Sequence, residues 1–149
     1  MNNILKIGIK CVGCRSCEQS CPVSCIKLRE NQEGFIYPTI DTDLCIECGK
    51  CINACPVEKK GLHINKPLEV WAWKNKNSVD LMRSASGGAA DSATRVVLQT
   101  GGIVYGAAYD DQLVVRHIRV ENEEERYRLQ SSKYVQSNLD NTYSLVKRD

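Results

Sequence analysis

The chain has 149 residues and a formal net charge of +2, from 20 basic and 18 acidic side chains, which leaves room for one ordinary domain or two small ones. So balanced a charge points away from nucleic acid as a partner, and apolar runs of only a few residues exclude membrane insertion. Nine cysteines all fall between Cys11 and Cys55, behind a start too short for a secretory leader. This pattern predicts a reducing, cytoplasmic compartment in which clustered cysteines are metal ligands rather than disulfides.

The first segment contains an internal repeat. Cys11, Cys14, Cys17, Cys21 and Pro22 recur as Cys45, Cys48, Cys51, Cys55 and Pro56, shifted by 34 residues. After each proline a short helical turn is expected to lead into apolar alternation, Ile26-Lys27-Leu28 in one half and Leu62-His63-Ile64 in the other. Residues 26–28 and 35–37 read as two strands joined by the hairpin loop Asn31-Gln32-Glu33-Gly34.

Both cysteine runs read C-x2-C-x2-C-x3-C-P. Three cysteines in a turning loop converge on one inorganic cube, while the fourth points away and ligates the other. The predicted ligand sets are Cys11, Cys14, Cys17 and Cys55 for one 4Fe–4S cluster, and Cys45, Cys48, Cys51 and Cys21 for the second. A structural zinc site would use two separated pairs and has no need of the close third cysteine. Gly13 and Gly49 are expected to let the loops turn tightly, with amides aimed at the sulfur atoms. Pro22 and Pro56 suit a first helical position. Cys25, the ninth cysteine, reads as a small buried apolar residue. Residues 1–66 are thus predicted to form an α+β, ferredoxin-like dicluster domain whose core is its clusters.

Pro67 marks a boundary, and residues 67–149 read as an incomplete α/β domain. Residues 68–73 (LEVWAW) suggest a buried strand. Ser84-Ala85-Ser86-Gly87-Gly88 is a small-residue turn before a helix with Ala89, Ala93, Val96 and Val97 on its apolar face, stopped at Gly101-Gly102. Two strands, 103–108 and 113–120, flank Asp110-Asp111. Asn122 with Glu125 marks a further helix start, with Glu124 and Arg128 paired four residues apart. The basic groups Lys59-Lys60 and Arg126/Arg128 read as solvated faces, and His63 and His117 as ordinary strand residues. Residues 142–148 look like the start of a helix without a stop signal, as expected of a chain that ends inside a larger domain. The turn at 84–88 has two readings, an ordinary helix cap or a cradle for a nucleotide pyrophosphate.

The double cysteine motif, LEVWAW, SASGG, GGIVYGAAYD, VVRHIRV and SSKYVQS, in that order, resemble the beta subunits of coenzyme F420-reducing hydrogenases and dehydrogenases with a ferredoxin module in front. The resemblance spans essentially the whole chain. It implies FAD, with Ser84, Ser86, Gly87 and Gly88 bordering the flavin diphosphate and Ser132, Lys133 and Tyr134 nearby. It also implies a C-terminal half not contained in these residues, and members commonly have glycine where this chain has Ser131. The expected function is an iron–sulfur flavoprotein oxidoreductase. Its flavin would convert two-electron hydride chemistry into single electrons, with the clusters as the wire to a redox partner protein or a small-molecule hydride carrier. The alternative is a dedicated electron carrier whose second unit only docks a partner protein.

Overall fold

The computed structural model describes residues 3–59 and 66–149. The chain divides into two compact units, Met1–Asn65 and Lys66–Asp149.

The first unit begins with a 3-10 segment, Ile4–Lys10, started by Asn3, whose side-chain oxygen accepts from the Leu5 N–H at 3.1 Å. Its Ile4 and Ile7 are buried against Cys17, Cys25, Ile26 and Cys55. Two one-turn helices, α1 (Ser16–Gln19) and α2 (Lys50–Asn53), bracket a hairpin of β1 (Ile26–Glu30) and β2 (Ile36–Ile40). The strands are antiparallel, from Ile26 opposite Ile40 to Glu30 opposite Ile36. The Asn31 carboxamide shapes the loop: its oxygen accepts from the N–H of Glu33 (3.0 Å) and of Phe35 (2.9 Å), and Gly34 takes φ +85°.

The helices repeat at the same 34-residue spacing as the cysteines, and each lies before its proline rather than after it. Pro22 instead occupies a turn closed by the Ser24 N–H donating to the Cys21 carbonyl at 3.3 Å, where its fixed φ is equally suitable. The segment 62–64 lies outside the described residues.

In the second unit, α3 (Ser78–Arg83) and α4 (Ala89–Gln99) precede an antiparallel hairpin of β3 (Val104–Tyr109) and β4 (Val115–Val120). A 3-10 helix, Glu123–Leu129, and α5 (Thr142–Arg148) follow. Leu98, Ala108, Val115 and Val120 form the apolar interior. The β3–β4 loop copies the design of the first hairpin, with Asp110 in the place of Asn31. Its carboxylate accepts from the N–H of Gln112 and of Val114, both at 2.9 Å, and Leu113 takes φ +61° where Gly34 sits in the other loop.

Several expectations for this unit are corrected. Among the described residues the sheet is a two-stranded antiparallel ribbon, not an α/β sheet, extended by a parallel bridge between Arg116 and Asn138. Residues 68–73 form no ladder, and Leu68, Val70 and Trp71 are exposed. The apolar stripe Ala89, Ala93, Val96 and Val97 faces outward, while Asp91 and Leu98 are buried. That orientation follows from charge. Asp91 turns inward to meet Arg126, which is buried and not solvated.

Arg126 also donates to Asp80 Oδ1 at 3.1 Å and to Glu123 Oε2 at 2.8 Å, and Asp80 is further paired with Arg95. This network ties α3, α4 and the 3-10 helix together. The helix at 123–129 starts on Asn122 as predicted, its side chain accepting from the Glu125 N–H at 3.0 Å. Its tighter winding sets pairs three apart, so Arg128 meets Glu125 at 3.7 Å instead of Glu124.

Candidate metal centres and a second cavity

The fold of the first unit gathers its cysteines around two cavities. Cys11, Cys14, Cys17 and Cys55 line one, walled by Ile4, Ile7 and Leu28. Cys21, Cys45, Cys48 and Cys51 line the other, of about 100 Å³, together with Cys25. Each cavity therefore takes three thiols from one loop and the fourth from the other half. A hydrogen bond from Ser16 Oγ to the Ala54 carbonyl, 3.0 Å, holds the two halves in place.

The loops turn by left-handed residues at equivalent positions. Gly13 (φ +63°) corresponds to Glu47 (φ +53°), and Arg15 (φ +60°) to Gly49 (φ +70°). Glycine marks only one member of each pair, so Glu47 and Arg15 escaped sequence reasoning. Their signal lay in the repeat, where each stands 34 residues from a glycine. Arg15 is anchored in its conformation by Glu18, Nη1 to Oε2 at 2.6 Å.

The donor set fits 4Fe–4S clusters. All described cysteines are free thiols, the soft ligands such clusters take. Among the described residues no three His, Cys, Asp or Glu side chains close on the point a single ion would occupy. Thiols around a cube stand apart on its corners. The Gly13 N–H donates to Cys11 Sγ at 3.4 Å. At Cys21 burial opposes the charged form, and the N–H groups of Val23, Cys25 and Ile26 with the Cys25 thiol overcome it, so the thiol lies below its ordinary range. Burial pushes Cys17 up to about 12, and burial with the neighbouring thiols Cys21 and Cys45 pushes Cys25 up to about 12.

In the second unit, Ser84, Ser86, Gly88 and Ser132 line one cavity of about 400 Å³ with Asp91 and Arg126. Four of the seven residues expected at a flavin thus line one cavity, and Gly87, Lys133 and Tyr134 do not. A Cβ on Gly87 would stand 2.1 Å from the Trp73 carbonyl oxygen, and the Gly87 carbonyl accepts from the Asn75 N–H at 2.7 Å. Its glycine is thus required by chain crossing. Lys133 Nζ donates to the carbonyls of Arg128 (3.1 Å), Gln130 (2.7 Å) and Ser131 (3.2 Å), closing the end of the 3-10 helix, and burial pushes its ammonium down. Tyr134 is 92% exposed. Ser131 takes a left-handed φ of +66°. His117 Nδ1 pairs with Ser137 Oγ at 2.8 Å.

Two loops of convergent thiols on an α+β hairpin scaffold define an iron–sulfur protein of the dicluster ferredoxin class. Two family models, both described as 4Fe-4S dicluster domain, match residues 10–59 and 37–129, and the chain belongs to that family. The second match runs on into a unit that carries no cysteine.

The ferredoxin-type protein NapF of Haemophilus influenzae is 31% identical over 58 residues, 36% of this chain and 33% of its own. The NADH-quinone oxidoreductase subunit I 2 of Geobacter metallireducens is 44% identical over 75 residues, 47% of this chain and 56% of its own. A subunit of the ion-translocating oxidoreductase complex of Methanosarcina acetivorans is 35% identical over 48 residues, 32% of this chain and 16% of its own. The chain thus spans between a sixth and just over half of these relatives. Ferredoxin-type electron transfer through 4Fe–4S clusters is what the matches share with the cysteine motifs. They bear on the iron–sulfur half of the expectation, and the flavin and deazaflavin lie outside them. No helix among the described residues is long and apolar enough to cross a membrane.

Proposed function

We propose that this chain is a one-electron relay that serves a larger redox assembly from a reducing, cytoplasmic compartment. In this reading Cys11, Cys14, Cys17 and Cys55 hold one 4Fe–4S cluster, and Cys45, Cys48, Cys51 and Cys21 hold the second. The observation that carries it is the pair of cavities, each lined by three thiols of one loop and by the cysteine of the other half that completes the predicted set, with Cys25 added in the second. When bound, the clusters supply one-electron oxidation and reduction at low potential. The protein supplies soft ligands, amides directed at sulfur and an apolar wall of Ile4, Ile7 and Leu28. Relatives named as subunits of oxidoreductase complexes support a protein partner. Anaerobic reconstitution should give about eight irons and eight acid-labile sulfides per chain, the content of two cubes. Cys21→Ala should cost the cluster of Cys45, Cys48 and Cys51 and leave that of its sequence neighbours. Four irons at saturation, or stoichiometric zinc, would refute the reading.

A second reading, in which the chain belongs to a flavoprotein that passes hydride to a carrier such as coenzyme F420, is favoured by the cavity that joins Ser84, Ser86, Gly88 and Ser132 at the start of α4. Against it stands Lys133, already committed to carbonyls. Titration of FAD into the chain and into Gly88→Val separates the two. Saturable binding to the first and none to the second supports the flavin, and equal behaviour leaves Gly88 as an ordinary helix cap.

A further inference from the structure

The internal repeat makes the two cluster loops near copies, and Cys25 breaks the symmetry. Its equivalent 34 residues on is Lys59, an exposed side chain. Cys25 is buried, lines the cavity of Cys21, Cys45, Cys48 and Cys51, and has its Sγ 3.4 Å from Cys21 Sγ. Nothing comparable lines the other cavity, whose cysteines are the four predicted ligands alone. A fifth thiol at contact distance from a ligating sulfur, in a wall that also carries Val23, Ile26, Ile40, Ile46, Glu47 and Lys50, meets the geometric condition for an S–H···S hydrogen bond.

We propose that Cys25 is not a ligand but a positioning residue, whose S–H donates to the Cys21 thiolate and sets the second cluster at a higher reduction potential than the first. The inference rests on the ligand sets given above. Adding an electron makes the cluster and its sulfurs more negative, and a donor aimed at a ligating sulfur stabilises that state more than the oxidised one. Cys45, the other thiol close enough to influence Cys25, belongs to the same ligand set, so the proton acts on the same cluster whichever sulfur it faces. The two clusters thereby become inequivalent and an electron passing between them has a preferred direction.

The test uses the full chain, reconstituted anaerobically as wild type, Cys25→Ala, Cys25→Ser and Cys21→Ser, with iron analysis and a redox titration followed by electron paramagnetic resonance. Cys21→Ser identifies the signal of the second cluster. Cys25→Ala should keep its iron and make that cluster about tenfold harder to reduce, about 59 mV for one electron, with the other potential unmoved. Cys25→Ser, which retains a donor, should stay close to wild type. No shift, an equal shift of both clusters, or a serine variant that behaves like alanine would each overturn the proposal. If Cys25→Ala loses half the iron while Cys21→Ser leaves both clusters intact, the ligand set itself is wrong, a failure that iron content alone reveals.

Discussion

Arg126→Met tests whether the second unit is organised by charge rather than by its small apolar interior. Methionine keeps an apolar stem of similar reach and removes the guanidinium that bridges Asp80, Asp91 and Glu123. Asp80 would keep Arg95, whereas Asp91 would keep only the Gln130 amide, which donates to Oδ1 at 2.8 Å. Asp91 Oδ2 is already buried without a hydrogen-bond partner, so its charge has little other compensation. Glu123 is half-exposed and adds little. Removing one partner from a buried pair costs about 3–5 kcal/mol, against about 0–1 kcal/mol for an exposed one. For a unit of this size that is a fall of more than about 10 °C in its melting temperature. Hydrogen exchange on the full chain should show α3, α4 and the 3-10 helix opening together, while cluster absorbance from the first unit stays unchanged. A loss below about 1 kcal/mol, or exchange that speeds up in only one of the three helices, would show that the network is solvent-screened and does not bind the unit together.

Leu113→Gly should raise stability by about 0.5–1 kcal/mol, since relief of a left-handed residue exceeds the entropy glycine loses; chemical denaturation that shows a loss would mean the exposed leucine packs on something. Gly87→Ala should cost about 2 kcal/mol or more, because its Cβ meets the Trp73 carbonyl and the Asn75–Gly87 hydrogen bond must shift; thermal melts with and without FAD would show whether any flavin effect exceeds that loss. At Asp80 burial raises the carboxyl, and Arg126 and Arg95 outweigh it, so its folded pKa lies below the ordinary carboxylate range. Stability from this group is therefore full above the unfolded pKa and lost as pH falls through the folded one, and melts of the second unit should drop in acid less steeply in Arg126→Met than in wild type.

The first unit was largely legible because its chemistry is written in spacing. Two C-x2-C-x2-C-x3-C-P runs impose a loop, a helical turn and a crossed fourth cysteine, and Asn31 with Gly34 announces the hairpin. The second unit was legible where local rules decide: the helix between the small-residue turn and Gly101-Gly102, the Asn122 start, the strands around Asp110 and the helix at Thr142–Arg148. Its failures share one cause. The pattern of residues 68–73 and of α4 promised an apolar interior, and what is buried instead is Asp80, Asp91 and Arg126. Sequence periodicity ranks a charged residue as solvent-facing, and it has no means of seeing that Asp80 pairs with Arg95 and Arg126, and Asp91 with Arg126, across separate segments.

The repeat shows how far residue identity can drift while a backbone is held. Positions 13 and 47, and 15 and 49, keep left-handed conformations, although only one member of each pair is glycine. The non-glycine members, Glu47 and Arg15, carry a strain of about 1–2 kcal/mol each, tolerable where cluster ligation over-determines the loop. Freedom to vary at equal geometry is also what makes position 25 informative. Cys25 and Lys59 occupy equivalent places, one buried against a predicted ligand and the other exposed. With equal ligand sets and near-identical loops, any difference in potential between the two clusters would come from the residues around the ligands, and among the described residues of the two cavities the extra thiol of Cys25 is the clearest departure from the repeat.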